Sequence, residues 1–213
     1  MKLVIFDFDG TLADTKKTIV AAKQETMRKL GLPVLSEAEC TATIGLTAPA
    51  GFRKSYPTLS DEAIGQCAAV YRAVFDELKM TMPPELFPGV KEVLEELKAR
   101  GIVCTIATSR HNDSMNEFLC KLGLRDYFPY ALGGNDTARL KPEPDPVLKT
   151  LKDLSVSAAD AVVVGDMPYD IEMGKRAGVL TCGVTYGNAD RETLLRAGAD
   201  LVIDRITELP ALL

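Results

Sequence analysis

Short apolar runs alternate with longer amphipathic stretches over most of the chain, and the first run sets the pattern. Residues 3–6, Leu-Val-Ile-Phe, are apolar throughout, and the sequence then turns abruptly to acids and glycine in 7-DFDGT-11. Comparable runs occupy 102–108, 130–134, 161–166, 179–184 and 201–203. Each is strand-sized and apolar on both sides of the pleat, as expected of strands covered on both faces. Helical patterns separate them: Val90, Val93, Leu94 and Leu97 before Gly101, and Met115, Phe118, Leu119 and Leu122 before Gly123. Alternating strand and helix signals predict an α/β fold with a parallel sheet.

The interval 15–82 breaks that alternation. Its periodicity predicts helices near 16–30 and 61–79, with a capping box starting at Ser36 and closing at Glu39, and turns at Gly31-Leu32-Pro33 and Tyr56-Pro57. We read it as a mainly helical insertion. The core then consists of residues 1–14 and 83–213, and hinges fall at Thr15–Lys16 and within 82–88.

Composition narrows the chemistry. A net charge of −5 supplies no basic field for a polyphosphate backbone, so nucleic acid is not expected as the principal partner. The apolar runs fall well short of the roughly 18 residues of a membrane span, and no signal-like segment opens the chain. Five dispersed cysteines form no CxxC pair, which fits buried thiols in a reducing cytoplasm. A single histidine, His111, leaves no set for a multi-histidine metal site and argues against a Ser-His-Asp enzyme.

Acids gather at predicted strand ends. Asp7 and Asp9 follow the first strand, Gly10 permits the chain to bend, and Thr11 can organise the turn. Asp166 ends a later strand in 165-GDMPYD-170, with Asp170 four residues on. If the loop between them folds back, these carboxylates form an oxygen-rich site for magnesium, and without a cation they repel one another. Thr108 follows the strand at 102–107, where its hydroxyl can meet a phosphate oxygen or cap a helix. Lys141, in the proline-rich 141-KPEPD-145, can offset negative charge on a nucleophile and on phosphate.

In order and spacing these four segments resemble the haloacid dehalogenase-like hydrolases, specifically the phosphatase branch with a helical cap. The resemblance spans nearly the whole chain and implies a Rossmann-like parallel sheet core with an inserted cap domain. It implies Asp7 as nucleophile and Asp9 as general acid/base, with Thr108, Ser109 and Lys141 on the phosphate. It also implies magnesium held by Asp7, the Asp9 backbone carbonyl, Asp166 and Asp170, the last directly or through water. The reaction it implies is phosphomonoester hydrolysis through an aspartyl-phosphate, on a small phosphorylated metabolite.

The second acid, Asp9, sets the chain apart from the dehalogenase branch, and Lys16 and Lys17 do not reproduce the cap lysine of the phosphonatases. A sugar-phosphate mutase needs an early-cap histidine where Ile19 stands. The pattern including 178–188 is similar to phosphoglycolate phosphatases, which points to 2-phosphoglycolate; a sugar-phosphate mutase, an inorganic pyrophosphatase and a non-catalytic phosphoester-binding regulatory protein are the alternatives. Substrate choice is expected from the cap, with Thr47, Arg53 and Lys54 as candidates and Arg53 favoured for its bidentate fork.

Overall fold

A computed structural model describes residues Met1–Leu213. Six strands make one all-parallel sheet: β1 (Leu3–Phe6), β4 (Val103–Ala107), β5 (Tyr130–Leu132), β6 (Ala161–Gly165), β7 (Leu180–Val184) and β8 (Leu201–Ile203). Their spatial order is β5-β4-β1-β6-β7-β8, with Leu3 in register with Val103 on one side and Ala161 on the other. Helices α5 (Val90–Ala99), α6 (Asn112–Lys121), α7 (Asp145–Leu154), α8 (Pro168–Ala177) and α9 (Arg191–Arg196) complete the α/β core.

The apolar runs lack period-2 alternation because both faces of the sheet are covered. Val4 and Phe6 enter one hydrophobic cluster, with Leu94, Phe118 and Phe128, while Leu3 and Ile5 enter the other, with Val147, Val163 and Met173. Burying β1 on both sides fixes the strand tightly, so the residue leaving its carboxyl end emerges at a defined place. In open parallel sheets the crevice at the carboxyl ends is where ligands bind.

Between β1 and α5 lie two short strands, β2 (Ala13–Asp14) and β3 (Glu85–Leu86), which pair antiparallel. They bring together the two ends of a helical cap made of α1 (Lys16–Lys29), α2 (Glu37–Thr41), α3 (Ala48–Ser55) and α4 (Asp61–Leu78). The cap has a small core of its own, including Val20, Met27, Phe52 and Ile64. The capping box at α2 forms as expected: Ser36 Oγ accepts from Glu39 N at 3.3 Å, and Glu39 accepts from Ser36 N at 2.8 Å. Helix α3 was not evident from periodicity, since Pro49 and Gly51 weaken its helical signal. Thr47 starts it by accepting from Ala50 N at 3.3 Å, with proline tolerated in the first turn. No helix is long and apolar enough to cross a membrane.

Candidate active site

Three strand ends and one loop converge on a single point. Asp7 continues β1 by one residue, its amide donating to Val164 O at 2.9 Å, and its carboxylate is buried. Asp166 follows β6, and Thr108 follows β4. The segment between Asp166 and Asp170 does not need to loop back, because Asp170 lies in the first turn of α8. There its Oδ2 accepts from Met167 N at 3.0 Å. Lys141 reaches in from the β5–α7 connection, and its Nζ stands 2.6 Å from Asp7 Oδ1 and 2.6 Å from Asp170 Oδ1.

Asp166 is held by Thr11, which the sequence marks as a turn residue, and by Asn188, which sequence reasoning did not single out. Its Oδ2 accepts from Asn188 N at 2.9 Å and Asn188 Nδ2 at 2.7 Å, and its Oδ1 from Thr11 Oγ1 at 3.2 Å. Tyr186 ties the same segment down by donating to Thr11 O at 2.8 Å. The glycines alongside are required by close approach: a Cβ at Gly187 would meet Asp166 and Gly10 O, and one at Gly165 would fall on the Asp170 carboxyl group. The sequence signal was the Gly-Asn pair just beyond β7, a turn on the same sheet edge as the acids.

The electrostatics call for a cation beyond Lys141. Burial pushes the Asp7 carboxyl up to about 7; Lys141 opposes this, and the charges of Asp170 and Asp9 add to it. Burial, with Asp170 and Asp7 nearby, also raises Asp166 well above the usual carboxylate range. Lys141 is pulled down by burial, but Asp170 and Asp7 outweigh that and its pKa lies above the ordinary lysine value. Carboxylate oxygens of Asp7, Asp166 and Asp170 lie within 4.8 Å of one another, and Asp7 Oδ2 has no hydrogen-bond donor. A buried all-oxygen set with an unpartnered carboxylate oxygen fits a hard divalent cation.

In front of Asp7 a cavity of about 860 Å³ opens between core and cap. Asp7, Asp9, Thr108 and Ser109 line it from the core, and Ile19, Lys23, Thr43, Thr47, Phe52 and Phe75 from the cap. Asp9 is gripped by Arg110, whose Nε and Nη2 donate to its two oxygens at 3.1 and 2.5 Å. Phe8, Phe75 and Phe118 surround that guanidinium. Ser109 donates to Gly45 O of the cap at 2.7 Å, and His111 caps α6 at the cavity edge.

Of the three cap candidates, Thr47 alone reaches the cavity. Arg53 is turned away: its guanidinium bonds Leu59 O and pairs with Asp61 within the cap. Lys54 donates to Tyr169 Oη at 2.7 Å, and Tyr169 donates to Ala42 O at 2.9 Å, tying cap to core. Period and spacing could not have found Arg110 or Lys23, because neither sits in a distinctive motif.

A parallel sheet bearing an inserted helical cap, with paired acids after β1 and a lysine-bridged acidic cluster at the neighbouring strand end, defines a class of phosphoryl-transfer hydrolases. The chain belongs to the haloacid dehalogenase-like hydrolases, whose family profile matches residues 4–184, and within them to the phosphatase branch. It is 36% identical to the probable phosphatase IndB of Dickeya dadantii over 209 residues, covering 97% of this chain and 91% of that protein. It is 34% identical over 209 residues to PpaX of Clostridium perfringens, named as a candidate pyrophosphatase, with 98% and 95% coverage. The phosphoglycolate phosphatase of Aquifex aeolicus is 34% identical over 189 residues, with 88% and 86% coverage.

Proposed function

We propose that this enzyme is a magnesium-dependent phosphatase that hydrolyses a small phosphorylated metabolite through an aspartyl-phosphate on Asp7. The observation that carries the reading is the setting of Asp7. Its carboxylate fronts the cavity, keeps one oxygen without a donor, and shares the Lys141 ammonium with Asp170. Asp7, Asp166 and Asp170, with the Asp9 backbone carbonyl, would hold magnesium. Bound there, the ion supplies positive charge that offsets repulsion between Asp7 and a phosphate dianion.

The chain's own groups then divide the work. Asp7 attacks phosphorus in line, while Thr108, Ser109 and Lys141 hold the phosphoryl oxygens. Asp9 gives a proton to the leaving alkoxide and later takes one from the water that cleaves the acyl phosphate. Ile19 lines the cavity where a mutase would place a proton-transferring histidine, which favours transfer to water. A carboxylate-bearing ester such as 2-phosphoglycolate, or pyrophosphate, fits the names of the relatives.

Magnesium-dependent phosphate release from 2-phosphoglycolate, sugar phosphates, nucleotides and pyrophosphate tests the proposal. Asp7→Asn should abolish turnover, on the order of 10³-fold or more, with an unchanged circular dichroism spectrum. Acid quench during turnover should trap phosphate on the wild-type protein and none on the variant. Near-native turnover by purified Asp7→Asn would reject the mechanism.

A further inference from the structure

The cavity wall holds a cation that the reaction described above does not use. Lys23, on α1, is 7% exposed and lines the cavity together with Asp7 and Asp9. Its Nζ donates to Cys40 O at 2.9 Å and Thr43 Oγ1 at 2.6 Å, both neutral acceptors. An ammonium group has three donors, so one is uncommitted.

The other cavity cations are accounted for. Arg110 is paired with Asp9, Lys79 stands 2.6 Å from both Asp76 and Glu117, and Arg72 is exposed to solvent. Lys23 is buried and has no carboxylate partner. Burial lowers its pKa to about 8, against the opposing pull of Cys40 and Asp9. Keeping a charge out of water is costly unless it meets its opposite, and no carboxylate pairs directly with this ammonium, Asp9 acting on it only from a distance. Ile19, Phe52 and Phe75 add apolar wall to the same cavity, which strengthens any ion pair formed inside it.

We infer that Lys23 selects the substrate, its ammonium pairing with a carboxylate or phosphoryl group carried on the leaving-group side of the phosphoester. The inference rests on the phosphatase reading of this site and deepens it. Core residues grip the transferred phosphate, and the cap recognises a second anion. Arg53, with the more suitable fork, is spent on Asp61 outside the cavity.

The competing role is mechanical, a tie between α1 and the 40–43 turn. Substrate pairs that differ in one charge separate the two. Wild type, Lys23→Met, Lys23→Gln and Thr43→Val are compared on 2-phosphoglycolate, pyrophosphate and neutral-tailed 2-hydroxyethyl phosphate at fixed pH, salt and magnesium. In wild type, kcat/KM for at least one anionic substrate should exceed that for 2-hydroxyethyl phosphate by about 10-fold, and the better anion tells carboxylate from phosphoryl. Lys23→Met should lower that value roughly 10–100-fold and the neutral ester's by less than about 3-fold. Thr43→Val loosens the tie but keeps the ammonium, and should leave the ratio unchanged. Lys23→Gln retains hydrogen-bonding capacity without charge and replaces Lys23→Met if the latter does not fold. A wild type with no preference for anionic substrates, or equal losses on all three, overturns the inference alone. No magnesium-dependent turnover of any substrate by wild type rejects the phosphatase reading and this inference with it.

Discussion

Replacing Lys141 with methionine removes the only ammonium among three buried carboxylates and keeps the volume of the side chain. Lys141 is 5% exposed, and its Nζ is shared between Asp7 and Asp170 at 2.6 Å each. Taking one partner out of a buried ion pair costs about 3–5 kcal/mol, and here the acids can shed charge by taking up protons, which favours the lower end. About 3 kcal/mol corresponds to a melting temperature lower by roughly 6–12 °C for a chain of this size. The loss should depend on pH. The folded-state pKa of Asp7 is already raised from 3.8 to about 7, and removing Lys141 raises it further. A raised carboxyl pKa destabilises the folded state increasingly as pH climbs above the unfolded value, because the unfolded chain ionises freely and the folded one does not. The Asp7 part of the metal-free deficit should therefore be absent near pH 5 and grow as pH climbs through and above about 7, the wild-type folded value. Differential scanning fluorimetry of wild type and Lys141→Met in chelator, across that range, measures it. An unchanged melting temperature, or a deficit that does not vary between pH 5 and 8, would refute the reasoning.

Other expectations follow from the same geometry. Magnesium should raise the wild-type melting temperature more at pH 8 than at pH 5.5, since Asp7 must lose a proton whose pKa is about 7 before it can bind metal; equal shifts at both values would contradict this. Gly165→Ala places a methyl group on the Asp170 carboxyl, so calorimetry should show magnesium affinity weakened by about 10-fold or more, and native affinity would show that Asp170 can move freely. Arg53→Ala removes a pair whose Asp61 side chain is fully exposed and a bond to Leu59 O, both outside the cavity, so it should lower the melting temperature only slightly and leave relative kcat/KM values across substrates unchanged. A change in substrate preference would return Arg53 to the site.

The sequence alone determined the parts that depend on local order. Runs of residues apolar on both faces can sit only in a covered sheet, and the acids, Thr108 and Lys141 follow those runs at the chain positions that end them. The Ser36–Glu39 capping box was legible for the same reason: its hydrogen bonds close within one turn of helix. Tertiary structure decided everything that needs two separately folded pieces to meet. Asp170 was expected to come back through a loop, and instead it projects from the first turn of α8 onto Lys141, because Gly165 leaves space for it. Asn188 became the partner of Asp166 only when β6 and β7 lay side by side. The exchange of Arg53 for Lys23 as the cation facing the cavity shows the limit most clearly. Both are basic residues on cap helices, and the bidentate fork of its guanidinium favoured the arginine. Which helical face meets the cleft is set by how α1, α3 and α4 pack around Phe52 and Ile64, and that packing turns Arg53 outward and Lys23 in.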